Sequence, residues 1–198
     1  MPEERGEAPV YDLEFLRDFC RRNLSPSRYI HSMAVQRQAA VLAPLYGADP
    51  YKAAVAGLLH DITHCWEPWE QLKYMGASGI MLTKAEKEHP PIWHAKTGSH
   101  LVWHELGIRD PEIGRAIRYH TTGRADMTPL ELAVCLGDKT SADRIFPDIE
   151  VIRELALRSS HKAMAYYLQH TMDKLIAQGG PFAEDFLEAY DYYALHAE

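Results

Sequence analysis

Several things are scarce in this chain, and each scarcity removes a class of function. Nowhere in the 198 residues do about 18 uncharged apolar residues run together, so no membrane-spanning helix is expected. The opening Met1-Pro-Glu-Glu-Arg-Gly-Glu-Ala has no apolar centre, which argues against a secretory signal. Positive charge is short: 21 Lys and Arg against 28 Asp and Glu leave a net charge of -7. Phosphate backbones and anionic lipids are held by clustered Lys and Arg, so neither a nucleic acid nor a membrane surface is the expected partner. Only three cysteines are present, Cys20, Cys65 and Cys135, odd in number and far apart. They read as buried, reduced packing thiols of a cytoplasmic protein rather than as a disulfide framework. Strand-like alternation, internal repeats and low-complexity tracts are also missing. Histidine is the exception, with eleven in the chain.

The length fits one domain with a full core. We expect a polar arm over 1–9 and a single all-α domain over 10–198. Apolar residues recur at helical spacing from Leu13 to Cys20. Ser25-Pro-Ser27 then starts a helix that Gly47 closes. Asp49-Pro50 joins an N-cap to a first-turn proline and opens an apolar helix, read as Ala53 to His64. A short helix around 69–75, a Thr83-Lys-Ala-Glu86 capping box and a break at His89-Pro-Pro follow. Further helices are read over 92–106, from Asp110-Pro111 to Tyr119-His120, from Thr128-Pro129 through Asp138, over 149–157, over 161–177 and around 186–193.

The Ala53 to His64 helix finishes in His60 and Asp61, and two costly polar groups at the edge of a core need partners. Gathering polar groups near other helix ends adds His31, His94, His120 and Asp138. These are four imidazoles and two carboxylates from five predicted helices, and bundles build metal sites from facing helices in this way. Neutral imidazole mixed with carboxylate suits a borderline divalent cation such as Fe, Mn, Zn or Co better than Ca or Mg.

The ordered runs Arg28-Tyr-Ile-His31, Gly57-Leu-Leu-His60-Asp61, Trp93-His94-Ala95, Ile117-Arg-Tyr-His120-Thr-Thr-Gly-Arg124 and Leu136-Gly-Asp138-Lys139 resemble the HD-domain metallophosphohydrolases. Within these, they are most similar to the YqeK-type symmetrical diadenosine tetraphosphate hydrolases. The resemblance implies an all-helical fold, iron as the usual metal in one or two ions, and symmetrical cleavage of a dinucleoside tetraphosphate into two nucleoside diphosphates. Position by position, it makes His31, His60, Asp61 and Asp138 core metal ligands. His94 and His120 complete a second metal position or grip the phosphates. Arg28, Thr121 and Arg144 fall where the family contacts the nucleotide. Three departures stand out. His64 occupies a place where a lysine is common, Lys96-Thr97 replaces a usual Pro-Val, and Thr140-Ser-Ala-Asp143 differs from a usual Glu-Pro turn.

A water activated by the metal would attack phosphorus, with Asp61 bridging or accepting its proton and His94 and His120 beside it. Arg28, Arg124 and Arg144 can hold phosphates by fork geometry. His64 is read as a phosphate contact and Phe182 as a platform for a base. Two other functions share these residues: an HD phosphohydrolase acting on mono- or triphosphates, and a nucleotide-sensing module that binds without cutting. The oligomeric state is open, a homodimer included.

Overall fold

Proline decides where five of the helices begin. The computed structural model describes residues 11–197, which form α1 (Leu13–Asn23), α2 (Pro26–Tyr46), α3 (Pro50–Leu59), α4 (Pro68–Ser78), α5 (Lys84–Lys87), α6 (Trp93–His104), α7 (Pro111–Tyr119), α8 (Pro129–Thr140), α9 (Ile149–Arg158), α10 (Ser160–Gln178) and α11 (Glu184–Leu195). A turn of 3-10 helix at Pro90–Ile92 leads into α6. No strand occurs among the described residues, and the expected arm over 1–9 lies outside them. In α2, α3, α4, α7 and α8 the first residue is proline, whose missing N–H has no intrahelical partner to lose. The residue before it caps: the Asp49 carboxylate accepts from the amides of Tyr51 and Lys52, and Asp110 accepts from Glu112 and Ile113. Thr128 and Glu131 form a full capping box.

α2 is the central rod, packed chiefly against α3 and α8. Two glycines let the backbones meet. A Cβ on Gly57 would lie 3.0 Å from the Val35 carbonyl oxygen, and one on Gly137 would lie 3.1 Å from the N, Cα and Cβ of Ala39. These close approaches set the spacing of the residues that follow them, His60 and Asp138. One apolar cluster runs from Leu16 of α1 to Tyr193 of α11, with α3 and α8 almost wholly buried in it. No described helix is long and apolar enough to cross a membrane.

The apolar helix is shorter than its sequence pattern: α3 stops at Leu59, not at His64. Beyond it the chain tightens into i to i+3 turns, with the Ile62 amide donating to Leu59 and the His64 amide to Asp61. Thr63 ties these turns to α6 through its hydroxyl, 2.8 Å from the Thr97 hydroxyl and 3.0 Å from the His94 carbonyl oxygen. The tightening turns Asp61 and Thr63 inward, where both are buried, and leaves His64 at the surface. Cys20 and Cys135 are buried thiols as expected, but Cys65 is exposed. It lies in the same turns, where its sulfur accepts from the Ser25 amide.

Candidate metal centre

Each ligand candidate is carried to one place by the end of a helix. His60 and His120 are the residues that follow α3 and α7, Asp138 lies in the last turn of α8, His94 in the first turn of α6 and His31 in the second turn of α2. All five, with Asp61, are buried.

Asp61 stands in the middle. Its Oδ2 is 3.2 Å from His60 Nε2 and 3.8 Å from His31 Nε2. Its Oδ1 is 3.1 Å from His94 Nε2 and 3.6 Å from His120 Nε2. One carboxylate therefore shows a pair of imidazoles to each oxygen. Asp138 closes the first pair, with Oδ1 at 2.9 Å from His31 Nε2 and 4.0 Å from His60 Nε2.

The tautomers show what this arrangement is for. His60 Nδ1 is 2.7 Å from the Gly57 carbonyl oxygen and His120 Nδ1 is 2.7 Å from that of Ile117. A carbonyl can only accept, so each Nδ1 carries a proton and each Nε2 is the atom turned to the cluster, free to present a lone pair when the ring is neutral. His60 Nε2 is buried without a well-aligned hydrogen bond, with Asp61 Oδ2 3.2 Å away. His120 Nε2 faces His94 Nε2 at 3.1 Å. Lone pairs converging on lone pairs are tolerable around a cation, and the donor set fits a divalent metal. Three groups have ligand atoms within 4.8 Å of one another: His31, His60 and Asp138; His60, Asp61 and His120; Asp61, His64 and His94.

Electrostatics agree with ligand chemistry. Burial works to raise the Asp61 carboxyl, and positive charge at His60 with hydrogen bonds donated by His120, His60 and His94 holds it well below the ordinary range; a cation bound by the neutral rings would have the same effect. Burial likewise opposes, and Lys139, His31 and Arg144 overcome, the ionisation of Asp138. His94 and His120 are pushed down by burial against the pull of Asp61, so both rings are neutral at neutral pH. The same cause, desolvation opposed by Asp61, takes His64 down to about 4.

Of the expected nucleotide contacts, Arg28 reaches the cluster, with Nη1 2.7 Å from Asp61 Oδ2, and so does Arg144, which binds Asp138. Thr121 adjoins His120; its hydroxyl is buried without a partner beside a cavity of about 340 Å³ that Pro91, Tyr167 and Lys174 also line. Phe182 is half-buried against the core, next to that cavity's Pro181 and Ala183. Arg124 has partners outside the cluster. Its guanidinium is held by the fully buried Glu131 at 2.6 Å and by the Ala125 carbonyl. Glu131 lies seven residues before Asp138 on α8, about 10 Å along the axis, so in this structure Arg124 is tied to the N-terminus of α8.

Two neighbours escaped the sequence reading. Asp143 accepts from His31 Nδ1 at 2.7 Å, the carboxylate partner that fixes a ligating imidazole. Its only signal was an acid five residues after Asp138. Lys139 pairs with Asp138 at 2.7 Å and lies over the Tyr167 ring. The replacements after His94 have structural partners: Lys96 pairs with Glu86 at 2.5 Å, and Thr97 bonds Thr63.

The HD-domain family model matches residues 28–143. The chain belongs to the HD-domain family. The match spans every ligand candidate above. Among curated proteins, this HD domain is similar to the Bacillus subtilis protein named symmetrical bis(5'-nucleosyl)-tetraphosphatase, at 34% identity over 87% of this chain and 92% of that one. A protein of the same name from Halalkalibacterium halodurans is 32% identical over 87% of this chain and 92% of its own length. Among solved structures, it resembles a predicted HD superfamily hydrolase involved in NAD metabolism from Clostridium acetobutylicum. The TM-score is 0.90 at 28% identity, covering 95% of this chain and all of that one.

Proposed function

We propose that this chain is a metal-dependent hydrolase that cuts a dinucleoside tetraphosphate at its central anhydride, releasing two nucleoside diphosphates. The observation that carries this reading is Asp61 with a pair of imidazoles on each of its oxygens. It sits in a chain aligned over 87% of its length with relatives named for that activity. Shared in this way, Asp61 supports a centre of two first-row ions, with iron first among the metals and Mn, Co or Zn able to use the same donors. His31, His60, Asp61 and Asp138 would hold one ion. His94 and His120, with Asp61, would hold the other. When bound, such ions supply a water of lowered pKa and positive charge opposite the phosphoryl oxygens.

The protein's own groups do the rest. Asp61, ionised beside a bound cation, is a better shared ligand than proton acceptor. His94 and His120, neutral at working pH, act as donors of lone pairs rather than of protons. Arg28 and Arg144 each rest on a cluster carboxylate with side chains 28% and 35% exposed, so their outward N–H groups can fork a phosphate. Lys139 offsets the charge of Asp138. Three cations thus balance Asp61, Asp138 and Asp143, and the ions leave the pocket positive inside an acidic protein. The cytoplasm, where free thiols stay reduced, is the compartment we assign.

Incubating the metal-loaded protein with diadenosine tetraphosphate, nucleoside mono- and triphosphates and NAD, and resolving the products by chromatography, tests this. ADP as the sole product of diadenosine tetraphosphate is expected. ATP with AMP as main products, or turnover confined to other nucleotides, would refute it.

A further inference from the structure

His64 lies just outside the groups assigned so far, and the two ion positions are unequal without it. The first gathers four protein donors: His31, His60, Asp138 and Asp61 Oδ2. The second gathers three: Asp61 Oδ1, with His94 and His120 at 3.1 and 3.6 Å from it. His64 flanks that second position. Its ring centroid is 4.8 Å from that of His94, and one ring nitrogen is within 4.8 Å of the ligand atoms of both Asp61 and His94.

Donors bonded to one ion at about 2.1 Å lie within about 4.2 Å of each other. Tetrahedral donors lie about 3.4 Å apart, so bringing His64 from within 4.8 Å of Asp61 and His94 onto the ion needs a ring movement of about 1 Å. The buried rings could not make it, but His64, exposed on the turns after α3, can. No other element has to shift.

We infer that His64 is the fourth protein ligand of the second metal position, which then holds an ion with three imidazoles and one carboxylate oxygen against two and two in the first. This rests on the two-ion reading above. Its consequence is a difference between the positions. Nitrogen-rich donors favour Co and Zn, whereas the position with two carboxylates is the better home for Fe or Mn. The second ion, reached through an exposed ligand, is also the one that exchanges first.

The test is titration of metal-free protein with Co2+ alone, read by visible absorption and by bound cobalt after desalting. Wild type is expected to take two equivalents. His64→Ala and His64→Lys should keep the first at unchanged affinity and weaken the second on the order of 100-fold or more. His100→Ala, on the outer face of α6, should keep both. Retention of both equivalents at wild-type affinity in both His64 variants overturns the inference. So do loss of both equivalents from variants of wild-type helicity, and a wild-type chain that takes only one. Product analysis with diadenosine tetraphosphate is read separately, so failure here leaves the assigned substrate standing.

Discussion

Replacing Gly137 by alanine probes whether two backbones in hard contact set the first half of the metal site. The added methyl would meet the N, Cα and Cβ of Ala39 at 3.1 Å, against about 3.5–4.0 Å for comfortable carbon contacts. Neither side can yield by rotating a side chain, so α2 and α8 must separate by a few tenths of an ångström. Overpacking of this kind costs about 1–3 kcal/mol, while exchanging glycine for alanine inside a helix returns about 1 kcal/mol. The net expectation is a loss of about 1 kcal/mol, with an upper bound near 2 kcal/mol. Gly76 is the control: it lies inside α4 with nothing within 4 Å of a would-be Cβ, so Gly76→Ala should gain about 1 kcal/mol. Urea unfolding of the metal-free proteins measures both. Because the separating helices carry His31 and Asp138, 2.9 Å apart, Gly137→Ala should also weaken the tighter Co2+ equivalent roughly tenfold, about 1.4 kcal/mol, whereas Gly76→Ala should not. If the two variants are alike in stability and cobalt affinity, the contact does not set the site.

Three further expectations follow from side chains already placed. Arg124→Ala should cost about 3 kcal/mol in urea unfolding, the low end for breaking a buried pair, because Glu131, fully buried, then keeps only the Thr128 amide at 2.8 Å and Arg115 at 3.4 Å. KM for the dinucleotide should not move, and a rise of tenfold would return Arg124 to the substrate. Glu86 is buried, and although burial raises its carboxyl, Lys96, the Thr83 amide and Arg118 together lower it below its ordinary 4.5. Its contribution is therefore present above pH 4.5 and lost as pH falls through the depressed value. The Tm gap between wild type and Glu86→Gln should be full at pH 7 and close in acid; a gap that widens on acidification contradicts this sign. Arg144→Lys, which keeps the charge and loses the fork, should raise KM on the order of tenfold with two Co2+ still bound, and an unchanged KM would remove Arg144 from phosphate binding.

Helix starts were legible because they are written locally. Ser25-Pro26, Asp49-Pro50, Asp110-Pro111 and Thr128-Pro129 each pair a capping side chain with a residue that fits only the first turn, and each opens a helix where expected. The convergence of His31, His60, Asp61, His94, His120 and Asp138 was legible because all are polar groups set near the ends of apolar helices. The end of α3 was not. His60 keeps helical angles, and it is the tertiary tie from Thr63 to Thr97 that turns the following residues inward. Asp143 escaped, and the Glu131 partner of Arg124 was not foreseen, for a related reason. His31 and Asp143 are 112 residues apart, and no spacing rule distinguishes an arginine that meets a phosphate from one that meets a buried glutamate.

The ligands also sit at helix ends of differing polarity. α3, α7 and α8 finish at His60, His120 and beside Asp138, whereas α6 has just begun at His94 and α2 is in its second turn at His31. A helix terminus carries roughly half a charge, negative where the helix closes and positive where it opens. Three closing ends therefore favour a cation among the imidazoles before any substrate arrives, and the same ends repel a bare polyphosphate. Once cations are in place that repulsion is cancelled, and the opening turns of α2 and α6, the first with Arg28 in it, face the anion. The direction in which the helices run thus suits a cation at the cluster first and an anion only beside it.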